Sequence, residues 1–287
     1  MRQHCTDCAI QQTICHNFYQ NRGRCLLRSY EEQKARIARL NLMDDQFFQK
    51  VAENPECCED ILRIILQMPD LRVISNQIER TIPNVTNKSV KLDLICEDAD
   101  GNIFNIEVQK ANDTNHQKRV RYNMACVDTL SAEKGTDYAD LPDVYVIFIS
   151  AFDIFKQGKT IYHIHRVIQE TGDVVANGTH EIYVNTAIDD GSDIAKLMQY
   201  FKNSTGIHPL FEKLSSQVYY YKETPGGEQH LKSVWDEVRE EGLKEGLKEG
   251  RKEMAIALLK KKVFPLAEIA ELTKLPLSEV EALQKAI

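Results

Sequence analysis

Asp93, Glu107 and Gln109 are polar side chains set into two short runs that otherwise read as buried strands, within VKLDLICEDADGNIFNIEVQK at 90–110. Two carboxylates on neighbouring strands are hard oxygen donors. Magnesium suits such a pair, because it keeps most of its waters and takes only one or two protein carboxylates. Without a cation the two acids repel, unless one takes a proton. The competing reading is a solvent-facing sheet with incidental acids. Ile95 and Ile103, which fall on the same strand faces as the acids, count against it.

Whether the acids meet depends on register. Both runs alternate with a period of two, as strands do. A two-residue turn on Asp100-Gly101 sets Asp93 opposite Val108 and mixes polar with apolar faces. A three-residue loop, Ala99-Asp100-Gly101, places Gly where a type I turn plus bulge needs a left-handed residue. It pairs Asp98 with Asn102 and therefore Asp93 with Glu107, with the apolar positions together on the other face. Agreement of this kind fixes register.

The flanking chain must hold this hairpin. Residues 44–68 carry Phe47, Phe48, Val51, Ile61, Leu62, Ile64, Ile65 and Leu66 at helical spacing on either side of Asn54-Pro55. Pro55 fits the first turn of a second helix. Residues 71–82 read as a strand and 115–131 as a helix with Val120, Met124, Val127 and Leu130 on one face. VYVIFIS (144–150) is the continuous run of a strand buried on both faces. Residues 160–168 and 180–186 alternate as strands, and 192–202 and 208–222 read as helices.

ETPGGEQH (223–230) reads as a linker, and EEGLKEGLKEGRKE (240–253) as a solvated, partly frayed helix with Glu and Lys at ion-pair spacing. FPLAEIAELTKLPLSEVEALQ reads as two short helices, the second capped by Ser278. Ile269, Ala270, Thr273 and Val280 hint at a helix-turn-helix. The second helix is acidic and offers only Lys285, so a packing or oligomerisation element is the better reading.

Composition is that of a soluble globular chain, 43% apolar and 28% charged over 287 residues. No run of about 18 apolar residues occurs, so no spanning helix is expected. The start of the chain lacks the apolar core of a secretory signal, and a cytoplasmic protein is expected. The net charge of −7 argues against a broad nucleic-acid-coating surface but not against local contact. Basic residues gather in HQKRVR (116–121) and in residues 1–40, which carry seven Lys/Arg against three Asp/Glu. Of eight cysteines, four lie in the first 25 residues; Cys5, Cys8 and Cys15-His16 form no closed zinc pattern, and reduced thiols are expected. His163 and His165 read as ordinary half-buried strand residues.

LDLICEDADGNIFNIEVQKA, then HQKRVRYN, then LPDVYVIFIS, with NLMDDQFF upstream, resemble the PD-(D/E)XK nuclease superfamily over roughly 40–222. The closer resemblance is to the PD-(D/E)XK nuclease family transposases, related to the recombination-promoting nucleases. It implies an α/β, restriction-endonuclease-like fold: a mixed central sheet flanked by helices, here with a helical C-terminal tail. It implies metal-dependent hydrolysis of a DNA phosphodiester, the cation (Mg2+ or Mn2+) polarising the phosphoryl group and lowering the pKa of a bound water.

Position by position, Asp93 and Glu107 match the metal ligands, Val108 a backbone carbonyl ligand, and Gln109 the place of the superfamily's lysine. Gln109 can hydrogen-bond but carries no charge. Lys110 points to the opposite strand face. Glu59 matches an additional acid from the first helix. Gln117, Lys118, Arg119 and Arg121 are expected to contact DNA, phosphates above all.

The expected organisation is a basic N-terminal extension over 1–40, the nuclease-like domain over 41–222, a linker and repeat helix over 223–253, and a two-helix segment over 254–287 that serves as a possible homo-oligomer contact. The expected function is a magnesium-dependent DNA endonuclease associated with recombination or a mobile element. Its rivals are a catalytically degenerate DNA- or protein-binding module and a non-nuclease α/β protein. No membrane partner is expected.

Overall fold

The structure, a computed structural model, describes residues 31, 34–82, 90–112, 115–131, 137–261 and 264–285. The first 30 residues of the expected N-terminal extension, with Cys5, Cys8 and Cys15, lie outside the described residues. The chain divides into two compact units between Thr224 and Pro225.

The first unit opens with helices α1 (Asp45–Ala52) and α2 (Pro55–Leu66). Asn54 separates them: its side chain accepts from the Glu56 N–H at 3.1 Å while Pro55 takes the first helical position. Strands β1 (Val73–Ile82), β2 (Val90–Asp98) and β3 (Ile103–Gln109) follow, then helix α3 (His116–Ser131) and strand β4 (Val144–Ser150). Strands β5 (Ile161–Ile164) and β6 (Thr179–Asn185) and helices α4 (Asp193–Asn203) and α5 (Glu212–Glu223) complete it.

The strands form one mixed sheet of order β1-β2-β3-β4-β6-β5. β1 pairs with β2 and β2 with β3 antiparallel, β3 with β4 and β4 with β6 parallel, and β5 with β6 antiparallel. Every residue of β4 is buried, as its unbroken apolar run requires.

Helices cover both faces. On one, Val120, Met124 and Val127 of α3 pack with Ile95, Val144, Val146 and Phe148. These strand residues share the parity of Glu107, which pairs with Phe148, so α3 roofs the acidic face. On the other, Cys58 of α2 meets Cys96 of β2, and Phe47 and Phe48 of α1 pack on Tyr221 of α5 and Phe201 of α4.

The β2–β3 turn adopts the expected three-residue loop. Asp98 N–H donates to Asn102 O and Gly101 N–H to Asp98 O, both at 3.1 Å, and Gly101 has φ +83°. The Asp98 carboxylate accepts from the backbone of Asp100 and Asn102 and from the Asn102 side chain. The ladder then runs from Glu97↔Ile103 to Leu94↔Ile106.

In the second unit, helix α6 (Pro225–Lys261) is followed by α7 (Leu266–Thr273) and α8 (Leu277–Lys285). The linker expected at 223–230 is instead helical from Pro225, and α6 runs unbroken through the Gly-Leu-Lys-Glu repeat. Thr224 alone is extended, as the residue before proline prefers, and Pro225 at the first helical position is already shaped to start a helix. The far end of α6 is held by packing: Ala255, Ile269, Leu275 and Val280 form a small core with Leu258, Leu259 and Leu283. Helix α8 starts one residue before Ser278, which is therefore not its cap. Thr273 donates to Ile269 O at 2.7 Å.

Added bulk at Gly101 meets nothing within 4 Å, so its backbone angle alone resists substitution. Gly101→Ala is expected to cost about 1–2 kcal/mol, the left-handed penalty of an L-residue, read as a lower urea midpoint with unchanged slope.

Candidate active site

The acidic face opens where the β2–β3 ladder stops. Beyond the Leu94↔Ile106 pair, side chains take over the backbone bonding: Asp93 N–H donates to Glu107 Oε1 at 3.3 Å, and Val108 N–H donates to Asp93 Oδ2 at 3.1 Å. The two carboxylates thus meet across the strands, as the register requires. The strand is also irregular here. Glu79, between the Ile78↔Leu94 and Arg80↔Leu92 pairs, has φ +52°. Leu92 and Ile95 reach the same core cluster, so strict alternation fails around Asp93.

Glu107 is 1% exposed and Asp93 half-buried. Asn105 Nδ2 donates to Glu107 Oε1 at 3.0 Å and to Leu94 O at 3.2 Å. Arg119, from the first turns of α3, brings its guanidinium to two residues at once: Nη2 donates to Glu107 Oε2 at 2.9 Å and Nη1 to Gln109 Oε1 at 3.0 Å. An arginine can only donate, so the Gln109 carbonyl oxygen must be the atom that faces it.

This neutralisation is incomplete. Burial, reinforced by the charge of Glu107, pushes the Asp93 carboxyl up to about 7, against the pull of the Val108 N–H and Arg119. Burial also raises Glu107, opposed first by Asn105 and then by Arg119.

Two acids at the start of α1 complete the surroundings. Lys110 pairs with Asp44, and Asp45 lies near enough to interact with Lys110, Asp44 and Arg119 and to raise Asp93. Four carboxylates therefore surround two cations. Asp44 and Asp45 stand within NLMDDQFF, and the Asp-Asp pair that opens the first amphipathic helix is the signal for additional acids there.

Glu59, matched to that role from sequence, is placed elsewhere. It binds Arg63, Arg72 and the Val73 N–H, tying α2 to the start of β1. Lys110 is not aimed at Glu107, in keeping with its strand parity. Gln117, Lys118 and Arg121 are exposed on α3, while Arg119 is turned inward. Val108 contributes its N–H to Asp93. His163 on β5, at the far edge of the sheet, and His165 just beyond the end of that strand are both exposed, not half-buried as expected. Cys57, Cys58, Cys96 and Cys126 are free thiols.

Among the described residues, no group of three or more His, Cys, Asp or Glu side chains is arranged to hold a metal. Asp93 and Glu107 offer two hard oxygen donors, with an uncompensated negative charge that a divalent cation relieves. That donor set fits magnesium or manganese, with waters completing the shell.

Residues 53–187 match the model of a family described as PD-(D/E)XK nuclease family transposase. The match spans α2 to β6 and includes Asp93, Glu107, Gln109 and Arg119. No curated protein and no solved structure matches the chain. No helix among the described residues is long and apolar enough to cross a membrane.

The Asp93 shift has a definite sign. A carboxyl raised in the folded state favours the folded form below its unfolded pKa of 3.8, and that contribution is lost as pH rises towards about 7. Without metal, Asp93→Asn is expected to raise the melting temperature at pH 8 and to flatten the fall in stability between pH 4 and about 7, measured by thermal scans. Glu59→Ala is expected to cost about 3 kcal/mol by breaking a buried charge cluster, while manganese affinity by calorimetry stays at the wild-type value.

Proposed function

We propose that this chain, in which residues 53–187 match the PD-(D/E)XK nuclease family transposase model, is a magnesium-dependent endonuclease that hydrolyses DNA phosphodiesters, in recombination or in the service of a mobile element. The observation that supports this most is the meeting of Asp93 and Glu107 across β2 and β3, at the mouth of a sheet otherwise sealed by helices.

In this reading Asp93 and Glu107 hold Mg2+ or Mn2+, with the Val108 carbonyl as a further donor. A cation held there would supply polarisation of the scissile phosphate and a more nucleophilic water. The chain's own residues do the rest. Asn105 fixes the Glu107 carboxylate, and the Val108 N–H fixes that of Asp93. Asp44 and Asp45 keep the cleft negative, which favours a divalent ion over a second basic side chain. The exposed Gln117, Lys118 and Arg121 of α3 meet the DNA backbone and set its position without reading sequence.

The uncharged Gln109 favours a second reading, a nuclease-fold module that binds DNA or protein and cuts nothing. The two readings part in one experiment. Magnesium at a hundredfold excess over its Kd is expected to stabilise the wild type by about 2.7 kcal/mol, and Asp93→Ala or Glu107→Ala to abolish that gain. In plasmid nicking each variant is expected to lose at least about 10²–10³-fold, the scale of removing one preorganised charge interaction. Metal binding without nicking, with manganese and varied DNA included, supports the binding module. Unchanged binding and nicking in both variants overturns the metal site itself.

A further inference from the structure

Phosphoryl transfer places negative charge on the non-bridging oxygens of the scissile phosphate, and a fixed cationic donor aimed at them lowers the barrier. Glutamine at 109 cannot supply that charge. Lys110, next in sequence, is committed to Asp44 at the start of α1. Of the two cations among the acids, Arg119 is the one bound to Glu107 and Gln109, and it acts on both Asp45 and Asp93.

Its environment is graded. The Glu107 carboxylate it binds is 1% exposed, whereas the Arg119 side chain is 37% exposed. The guanidinium is anchored through Nη1 and Nη2 on a side chain that stays partly exposed. The two anchoring bonds use two of its five N–H donors, so the planar group can bind a phosphate oxygen while it stays tethered.

We propose that Arg119 is a catalytic residue of this cleft, supplying the fixed positive charge to the reacting phosphate, and that Gln109 is a positioning residue that holds the guanidinium through its carbonyl oxygen. The proposal rests on the nuclease reading above. In the step itself a water oxygen forms the new P–O bond as the bond to the leaving sugar oxygen breaks. The water's proton goes to solvent, and the leaving oxygen takes a proton from solvent. Arg119 transfers no proton; it stabilises charge and stays protonated throughout. Glutamine at 109 then has a physical rationale. A lysine there would repel Arg119, whereas an amide oxygen orients it.

The test moves the charge. Arg119→Ala is expected to lower kcat for plasmid nicking by about 10²–10³-fold. Affinity for a fluorescent duplex, read by anisotropy in calcium, is expected to change by less than about threefold. Adding Gln109→Lys to Arg119→Ala is expected to regain at least about tenfold of the lost rate, because it returns a cation to the same spot. Melting temperatures show whether each variant folds. Gln109→Ala alone keeps the buried ion pair and is expected to lower kcat by about tenfold with unchanged duplex affinity.

The proposal is overturned if Arg119→Ala nicks at the wild-type rate, if its whole loss appears in duplex affinity, or if the folded double variant regains nothing. A wild type that nicks no plasmid sinks the nuclease reading together with this one. An active wild type beside an equally active Arg119→Ala sinks only the role of Arg119.

Discussion

A fully buried carboxylate beside a half-buried one sets the terms for this fold. Asp93 and Glu107 meet at the mouth of a sheet that helices cover, and burial makes the charge of each costly. The structure answers with what is nearby: a backbone N–H for Asp93, and an asparagine amide and a guanidinium for Glu107. The answer is partial, and Asp93 remains raised to about 7. Repulsion kept in place by a rigid frame is the condition under which a divalent cation binds well, because binding relieves a cost that folding has already imposed.

The frame keeps that repulsion from relaxing. The Asp98 cap and Gly101 hold the hairpin at its closed end, and the parallel pairing of β3 with the fully buried β4 holds Glu107 from the other side. Where β2 and β3 stop pairing, the carboxylates take the place of backbone partners. The site is thus built into the sheet's own hydrogen bonding. Moving either acid means giving up a ladder position, and that gives the cleft its stiffness.

The same economy accounts for the charges around it. Glu59 and Lys110, the neighbours that sequence proximity suggests, are occupied in joining elements: Glu59 ties α2 to β1, and Lys110 ties the end of β3 to the start of α1. Arg119 differs because its partner is deeply buried while its own side chain opens outward. A charge with one end fixed and the other accessible is the arrangement that substrate stabilisation requires.

Residue order alone determined the hairpin, its three-residue loop and the face on which Asp93 and Glu107 meet, because register follows from local alternation and one glycine. It also marked the helices and the central strand, whose periodicities are short-range. It did not report that the stretch from Pro225 is helical or where α8 starts, since helix ends depend on packing that periodicity does not report. Tertiary structure alone decided which groups neutralise the acids. Lys110 and Asp44 are 66 positions apart, and Arg119 reaches Glu107 only because α3 crosses over the acidic face. Charge pairing acts through space, and the order of residues along the chain does not contain those distances.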